Sequence, residues 1–301
     1  MNAYLRALRA PFLAGSLVPV LIGAAFAFKE GQPISFYGLL AALLGVAGLH
    51  LGANLLNDYY DAKGSDPINV RFTPFSGGSR VIQDGEAPQI LILAMAIFFF
   101  VLSLACAVWF LYAGRPVVLL LGLLGLAAGW SYSAPPFQLM SKGWGEAVIF
   151  FAFGPLITLG ADYVMSNRLS LEAFAIGFPQ GFLIAGVIWI NQFPDYEADK
   201  NAGKKNLVVR MGLNAARYLY CLIMALSYFC VILLVGLAGI TPLITLAFIS
   251  FPLAFKAMGI LWKSYLSHKE SIPAQALTIQ TVISQGLLLS LGLVLSRFLR
   301  V

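Results

Sequence analysis

Two stretches of the chain are dense in carboxylates and amides: Asn57-Asp58-Tyr59-Tyr60-Asp61-Ala62-Lys63-Gly64-Ser65-Asp66 and Asn191-Gln192-Phe193-Pro194-Asp195-Tyr196-Glu197-Ala198-Asp199-Lys200. With Asp84 and Glu86 downstream of the first, they hold eight of the thirteen acidic residues; either run alone reads equally as a solvated face, but two matched runs point to a site. Residues four apart on a helix share a face, so Asn57 and Asp61 point one way with Asn54 beside them, and Asn191, Asp195 and Asp199 do the same over two turns. Close carboxylates repel by roughly 4 kcal/mol per pair at an effective dielectric of about 20. Cations must offset this. Lys63, Arg71, Arg80, Lys142, Lys200, Lys204, Lys205 and Arg210 are near in sequence, and a divalent ion is the other source. Two histidines, His50 and His268, are too few and too far apart for an imidazole site. Cys106, Cys221 and Cys230 show no C-x-x-C spacing. Oxygen ligands favour Mg²⁺ over zinc or copper. Mg²⁺ takes one or two carboxylates plus phosphate oxygens, so two clusters suit a shared diphosphate.

The elements that position these clusters must lie in a bilayer. Hydrophobic residues make up 60% of the 301, charged residues only 11%, and the mean hydropathy is +0.85, whereas a globular chain carries about 25% charged residues. A span needs about 20 apolar residues. Windows of that kind occur near 12–28, 35–57, 90–112, 116–133, 145–164, 172–193, 216–238, 241–262 and 274–297. These predict an all-α membrane protein of about nine helices in one domain over residues 1–301. The first window has no small-residue cleavage site with a soluble domain behind it, so it is read as a span.

With the N-terminus in the cytoplasm, one side collects fourteen Lys and Arg. The other side has only Lys29, Arg115, Arg168, Arg297 and Arg300. Positive-inside bias therefore predicts N-in, C-out, with both acidic clusters cytoplasmic. The net charge of +6 then reflects topology, and no basic helix or stacking platform points to nucleic acid. The loops near 58–88 and 194–215 are long and charged, the kind that carry function. Pro194 is expected to kink or end the sixth span, and Gly64 to break the second.

Other constellations are weaker. Ser76-Gly77-Gly78-Ser79-Arg80 suits a phosphate cradle of backbone N–H groups. Tyr132-Ser133-Ala134-Pro135-Pro136 reads as a rigid loop. His50 reads as a packing residue, and Glu146 and Asp162 as acids tolerated near span ends. A weak repeat pairs Asn57/Asp61 with Asn191/Asp195. A secondary carrier also has nine or so spans with broken helices, but it places ionisable groups at mid-membrane, whereas these acids gather at one face.

These residues resemble the UbiA superfamily of intramembrane prenyltransferases, in which nine helices surround a cavity. The family motif N-x-x-x-D-x-x-x-D follows the second helix and D-x-x-x-D the sixth. Asp195 to Asp199 matches the second motif; Asn57 to Asp61 matches the start of the first, with its last Asp one place late at Asp66 and Ser65 in the usual position. That spacing is similar to the branch acting on 1,4-dihydroxy-2-naphthoate in menaquinone synthesis. So are Gly77-Gly78-Ser79-Arg80-Val81-Ile82-Gln83, Lys142-Gly143-Trp144-Gly145-Glu146 leading to Phe153-Gly154-Pro155-Leu156, and Ala202-Gly203-Lys204-Lys205-Asn206-Leu207 ending in Arg210-Met211-Gly212.

The resemblance implies an Mg²⁺-dependent transfer of a polyprenyl group from polyprenyl diphosphate to an aromatic acceptor, in a bacterial or archaeal cell membrane. It implies catalytic roles for Asp61, Asp195, Asn57 and Asn191, and metal binding by Asp61, Asp66, Asp195 and Asp199. Diphosphate binding falls to Lys63, Arg71, Arg80, Tyr132, Lys142, Lys204, Lys205 and Arg210. Another acceptor, such as 4-hydroxybenzoate, stays open.

Overall fold

The computed structural model describes residues 3–299; Arg300, assigned above to the outer side, lies outside them. The described residues form an all-helical bundle. We number its long elements α1 (Ala3–Lys29), α2 (Phe36–Asp61), α3 (Gln89–Tyr112), α4 (Val117–Ser133), α5 (Gly145–Ser166), α6 (Leu171–Asn201), α7 (Leu213–Gly236), α8 (Pro242–Ser264) and α9 (His268–Leu299). Each expected window finds its helix. Eight are long and apolar enough to cross a membrane; α4, with 17 residues, spans about 25 Å at 1.5 Å per residue, at the short end of the crossing range. The expected nine or so helices are present among the described residues, eight of them candidate spans and α4 a shorter apolar helix.

Local chemistry explains the irregularities. α1 is broken where Arg9 adopts a left-handed conformation (φ 51°) between the helix Ala3–Ala7 and a 3₁₀ turn, Ala10–Leu13. In α5 a π-helical segment, Ala152–Leu156, accommodates Pro155, whose missing N–H removes one rung of the ladder. Gly48 and Gly52 form a G-x-x-x-G face on α2. A Cβ on Gly48 would lie 2.8 Å from Phe99 O, and one on Gly52 2.6 Å from Phe100 Cδ1, so only glycine lets α3 pack this closely.

The acidic stretches prove more helical than expected. α2 runs on to Asp61. In α6 the final helix, Phe178–Asn201, passes through Pro194 without ending. Phe193 and Pro194 are both buried, and packing holds the helix where one backbone bond is lost, as neighbours do for membrane prolines generally. The expected loops therefore shrink. The first begins at Ala62 and contains a short 3₁₀ turn, Asp66–Ile68; the second reduces to 202–206, a helix Leu207–Met211 and Gly212.

At the end of the bundle away from these loops, Arg115 Nε donates to Val164 O at 3.0 Å, and Gly31 lies beside the Arg297 guanidinium. At the loop end, Arg6 pairs with Asp84 at 2.9 Å and Glu86 at 3.0 Å, tying the start of α1 to the first loop. The interior between α1, α2, α4, α5 and α6 is a cavity of about 240 Å³, lined almost wholly by apolar residues.

Candidate active site

The mouth of this cavity is where the two acidic stretches meet. Asn57 and Asp61 lie on the last turns of α2, and Asn57 Nδ2 donates to Asp61 Oδ2 at 3.0 Å. Asp195 and Asp199 occupy one face of the last turns of α6. Lys204, just beyond α6, bridges the two helices: its Nζ lies 3.0 Å from Asp61 Oδ1 and 3.2 Å from Asp199 Oδ1. The Lys204 side chain is only 9% exposed. Burial works against its charge, but the Asp61 and Asp199 carboxylates outweigh that and raise its pKa. Asn206 Nδ2 donates to the other Asp199 oxygen at 2.8 Å.

The first loop folds back over the carboxylates as a cover of backbone donors. Gly77 N donates to Asp195 Oδ2 at 3.2 Å, and Asn69 Nδ2 to Asp195 Oδ1 at 2.7 Å. Ser79 N donates to both oxygens of buried Asp58, each at 3.3 Å. Gly77 and Gly78 have φ of 80° and 73°, a region that glycine adopts without strain. A Cβ on Gly78 would collide with Asp66 Oδ2. The Ser76–Arg80 stretch thus cradles carboxylates.

Asp66 is buried, and burial, followed by the charges of Asp61 and Asp58, pushes its carboxyl up to about 7. Arg80 holds the Asp66 carbonyl through a 2.6 Å bond and stacks 4.8 Å from the Phe72 ring centroid.

The sequence-predicted residues divide into four groups. Asp61, Asp199 and Lys204 are in direct contact. Asn57 bonds Asp61 within α2, and Asp66, Asp195 and Arg80 are tied to the first loop around them. Asn191, buried, accepts from Gln275 Nε2 at 2.9 Å, and Gln275 Oε1 accepts from Thr73 Oγ1 at 3.0 Å. Tyr132 lines the cavity within electrostatic reach of Asp61, Asp199 and Lys204.

Lys63, Arg71, Lys142, Lys205 and Arg210 are exposed at the same end. Lys142 Nζ donates to Pro136 O at 2.7 Å, Arg210 Nη2 to Lys142 O at 2.8 Å, and Lys205 N to Ser141 O at 2.7 Å, so these three join two loops at the rim. Asn69, Asn206, Gln275 and the positioning role of Asp58 were not expected. The polar type of Asn206, three residues after Gly203 in a charged loop, was the one available signal; the others depend on distant partners.

Among the described residues no three His, Cys, Asp or Glu side chains converge into a ready ion cage. Mg²⁺ does not need one, since it keeps waters and phosphate oxygens in its shell. The donor set is oxygen-only, and one carboxylate from each helix already grips a single cation, the Lys204 ammonium. The residues fit a divalent ion shared with a diphosphate.

Comparison with known proteins gives the same class. Residues 16–280 match the UbiA prenyltransferase family, and the chain belongs to it. The 1,4-dihydroxy-2-naphthoate octaprenyltransferase of Bacillus subtilis (strain 168) is 27% identical over 289 residues, covering 95% of this chain and 90% of that one. The protein of the same name in Escherichia coli (strain K12) is 31% identical, covering 74% and 73%. Among solved structures, the apo UbiA homolog of Aeropyrum pernix K1 superposes with a TM-score of 0.73 at 15% identity, covering 91% of this chain and 96% of its own. A UbiA homolog of Archaeoglobus fulgidus bound to GPP and Mg²⁺ gives 0.64 at 20% identity, covering 96% and 99%. The chain is an integral membrane protein of this fold.

Proposed function

We propose that the protein transfers a polyprenyl group from polyprenyl diphosphate to 1,4-dihydroxy-2-naphthoate, with loss of CO₂, in menaquinone biosynthesis. The observation that carries this reading is the Lys204 bridge, which gathers carboxylates of α2 and α6 at the mouth of an apolar cavity. Relatives named for that acceptor support the choice of ring. The uneven split of basic residues supports a mouth on the cytoplasmic side, and the bacterial relatives support a bacterial or archaeal cell membrane.

In this reading the polyprenyl chain lies in the cavity, and its diphosphate meets the carboxylate layer. Asp61, Asp66, Asp195 and Asp199 would hold Mg²⁺, with Asn57 and Asn191 ordering them. Mg²⁺, when bound, supplies positive charge to the diphosphate oxygens as the C–O bond breaks. Lys204 and Arg80 stabilise the same departing charge from the protein side, with Tyr132 at the cavity mouth. Lys63, Arg71, Lys142, Lys205 and Arg210 draw the diphosphate in from the rim. The apolar walls exclude water from the allylic cation. The ring carbon then attacks it, a C–C bond forms, and diphosphate and CO₂ leave.

Purified protein in lipid, given a polyprenyl diphosphate, Mg²⁺ and a panel of aromatic acids, tests the proposal by mass spectrometry. Prenylated naphthoquinol is the expected product, abolished by EDTA and restored by Mg²⁺. Prenylation of 4-hydroxybenzoate with none of the naphthoate would reject the acceptor.

A further inference from the structure

One cation faces the cavity from outside the carboxylate layer. Arg9 lines the chamber at the break in α1, half-buried and held at φ 51°, a conformation that costs a non-glycine residue about 1–2 kcal/mol. Such outliers persist where the surroundings hold them and cluster at ligand clamps. Its guanidinium stacks 5.0 Å from the Phe12 ring centroid and reaches Phe75 O only through a long 3.4 Å contact. Among the described residues it makes no ion pair. Asp58, within its electrostatic reach, turns both oxygens to Ser79 N. A partly desolvated guanidinium without a carboxylate calls for an anion.

The same chamber holds an unpartnered amide and an imidazole oriented by a neighbouring hydroxyl. Asn54 lines the cavity, and its Nδ2 is buried with no partner. His50, also lining it, is held by Ser16 through Nδ1, and its ring meets Phe153 edge-on at 5.1 Å. A fork for an anion, an amide donor and an oriented imidazole in an otherwise apolar, aromatic-walled chamber match a flat ring that carries both a carboxylate and a hydroxyl.

We propose that Arg9 binds the carboxylate of the aromatic acceptor, with Asn54 and the Ser16-oriented His50 receiving its ring hydroxyl. This rests on the reading of the chain as an aromatic prenyltransferase, and it separates the acceptor's carboxylate site from the diphosphate cations. Arg9 is a specificity residue in this assignment: it selects the acid over the corresponding phenol.

The test uses the full-length protein in lipid nanodiscs and two probes, 1-hydroxy-2-naphthoate and 1-naphthol, with binding followed in the absence of prenyl diphosphate. Wild type binds the acid at least 10-fold more tightly than the naphthol, and Arg9→Gln abolishes that preference while leaving naphthol binding in place. In turnover, Arg9→Gln raises KM for the dihydroxynaphthoate at least 10-fold and leaves KM for the prenyl diphosphate within twofold. Arg9→Lys, which keeps the charge without the fork, gives an intermediate preference and carries the comparison if Arg9→Gln does not fold. Unchanged discrimination in both variants, or a rise confined to the prenyl diphosphate KM, overturns the assignment. If wild type prenylates no naphthoate, the functional reading falls, and the binding comparison still decides the role of Arg9.

Discussion

Replacing Lys204 by methionine removes the one ammonium that lies between Asp61 and Asp199. Its side chain is 9% exposed, and those of its partners 16% and 7%, so water cannot take over its work. Removing one partner of a buried ion pair costs about 3–5 kcal/mol, because the remaining charge is left uncompensated. The two carboxylates left facing each other would add repulsion, up to roughly 4 kcal/mol for a close pair at an effective dielectric of about 20, which proton uptake or side-chain motion partly relieves. We therefore expect Lys204→Met to destabilise the metal-free protein by about 3–5 kcal/mol. At about 2 °C per kcal/mol for a chain of this size, that is a fall of roughly 5–10 °C in apparent Tm. Thermal unfolding in lipid nanodiscs with EDTA, and again with Mg²⁺, reads this directly. Mg²⁺ should raise the Tm of the variant more than that of wild type, because a divalent ion replaces the missing charge. Wild-type stability of Lys204→Met in EDTA, or equal Mg²⁺ shifts in both proteins, would refute the reasoning.

Asp61→Asn and Asp195→Asn should each lower turnover at least 100-fold in a folded protein, since each removes charge from the carboxylate layer; full activity in either would remove it from the site. Asp58→Ala should leave Ser79 N without its acceptor, at about 1–3 kcal/mol for a buried donor, and speed hydrogen exchange across 76–80; unchanged exchange would show that the loop is held otherwise. In a background without Cys106, Cys221 and Cys230, a cysteine at Gly203 should react with an impermeant reagent only after cytoplasmic access is opened, and one at Gly239 from outside. The reverse pattern would put the site on the wrong face for a cytoplasmic diphosphate.

Helices and the candidate layer were legible because both rest on local rules. Apolar windows found every long helix, including the short α4, and the four-residue spacing of Asn57 with Asp61 and of Asn191, Asp195 and Asp199 correctly grouped side chains on helix faces. Pro194 does not end its helix, since a missing N–H weighs less where the helix is packed than where it is free. What stayed hidden depends on pairs far apart in sequence. Asn69 reaches Asp195 across 126 positions, and Gln275 reaches Asn191 across 84; no spacing rule marks either. Lys204 stood among eight nearby cations, and only the turn after α6 sets it apart as the one between the carboxylates. Arg9 was counted for orientation alone, because its role depends on a left-handed residue and on a cavity that no single stretch of chain encloses.

The central claim, that the carboxylate mouth and apolar cavity prenylate a dihydroxynaphthoate, is met most directly by supplying carboxyl-labelled 1,4-dihydroxy-2-naphthoate, polyprenyl diphosphate and Mg²⁺ to the purified protein and counting released CO₂ against prenylated product. Labelled CO₂ and demethylmenaquinol are expected in equal amounts, both lost with EDTA. Prenylated product that retains the label, or no product from this acceptor while 4-hydroxybenzoate is consumed, would contradict it.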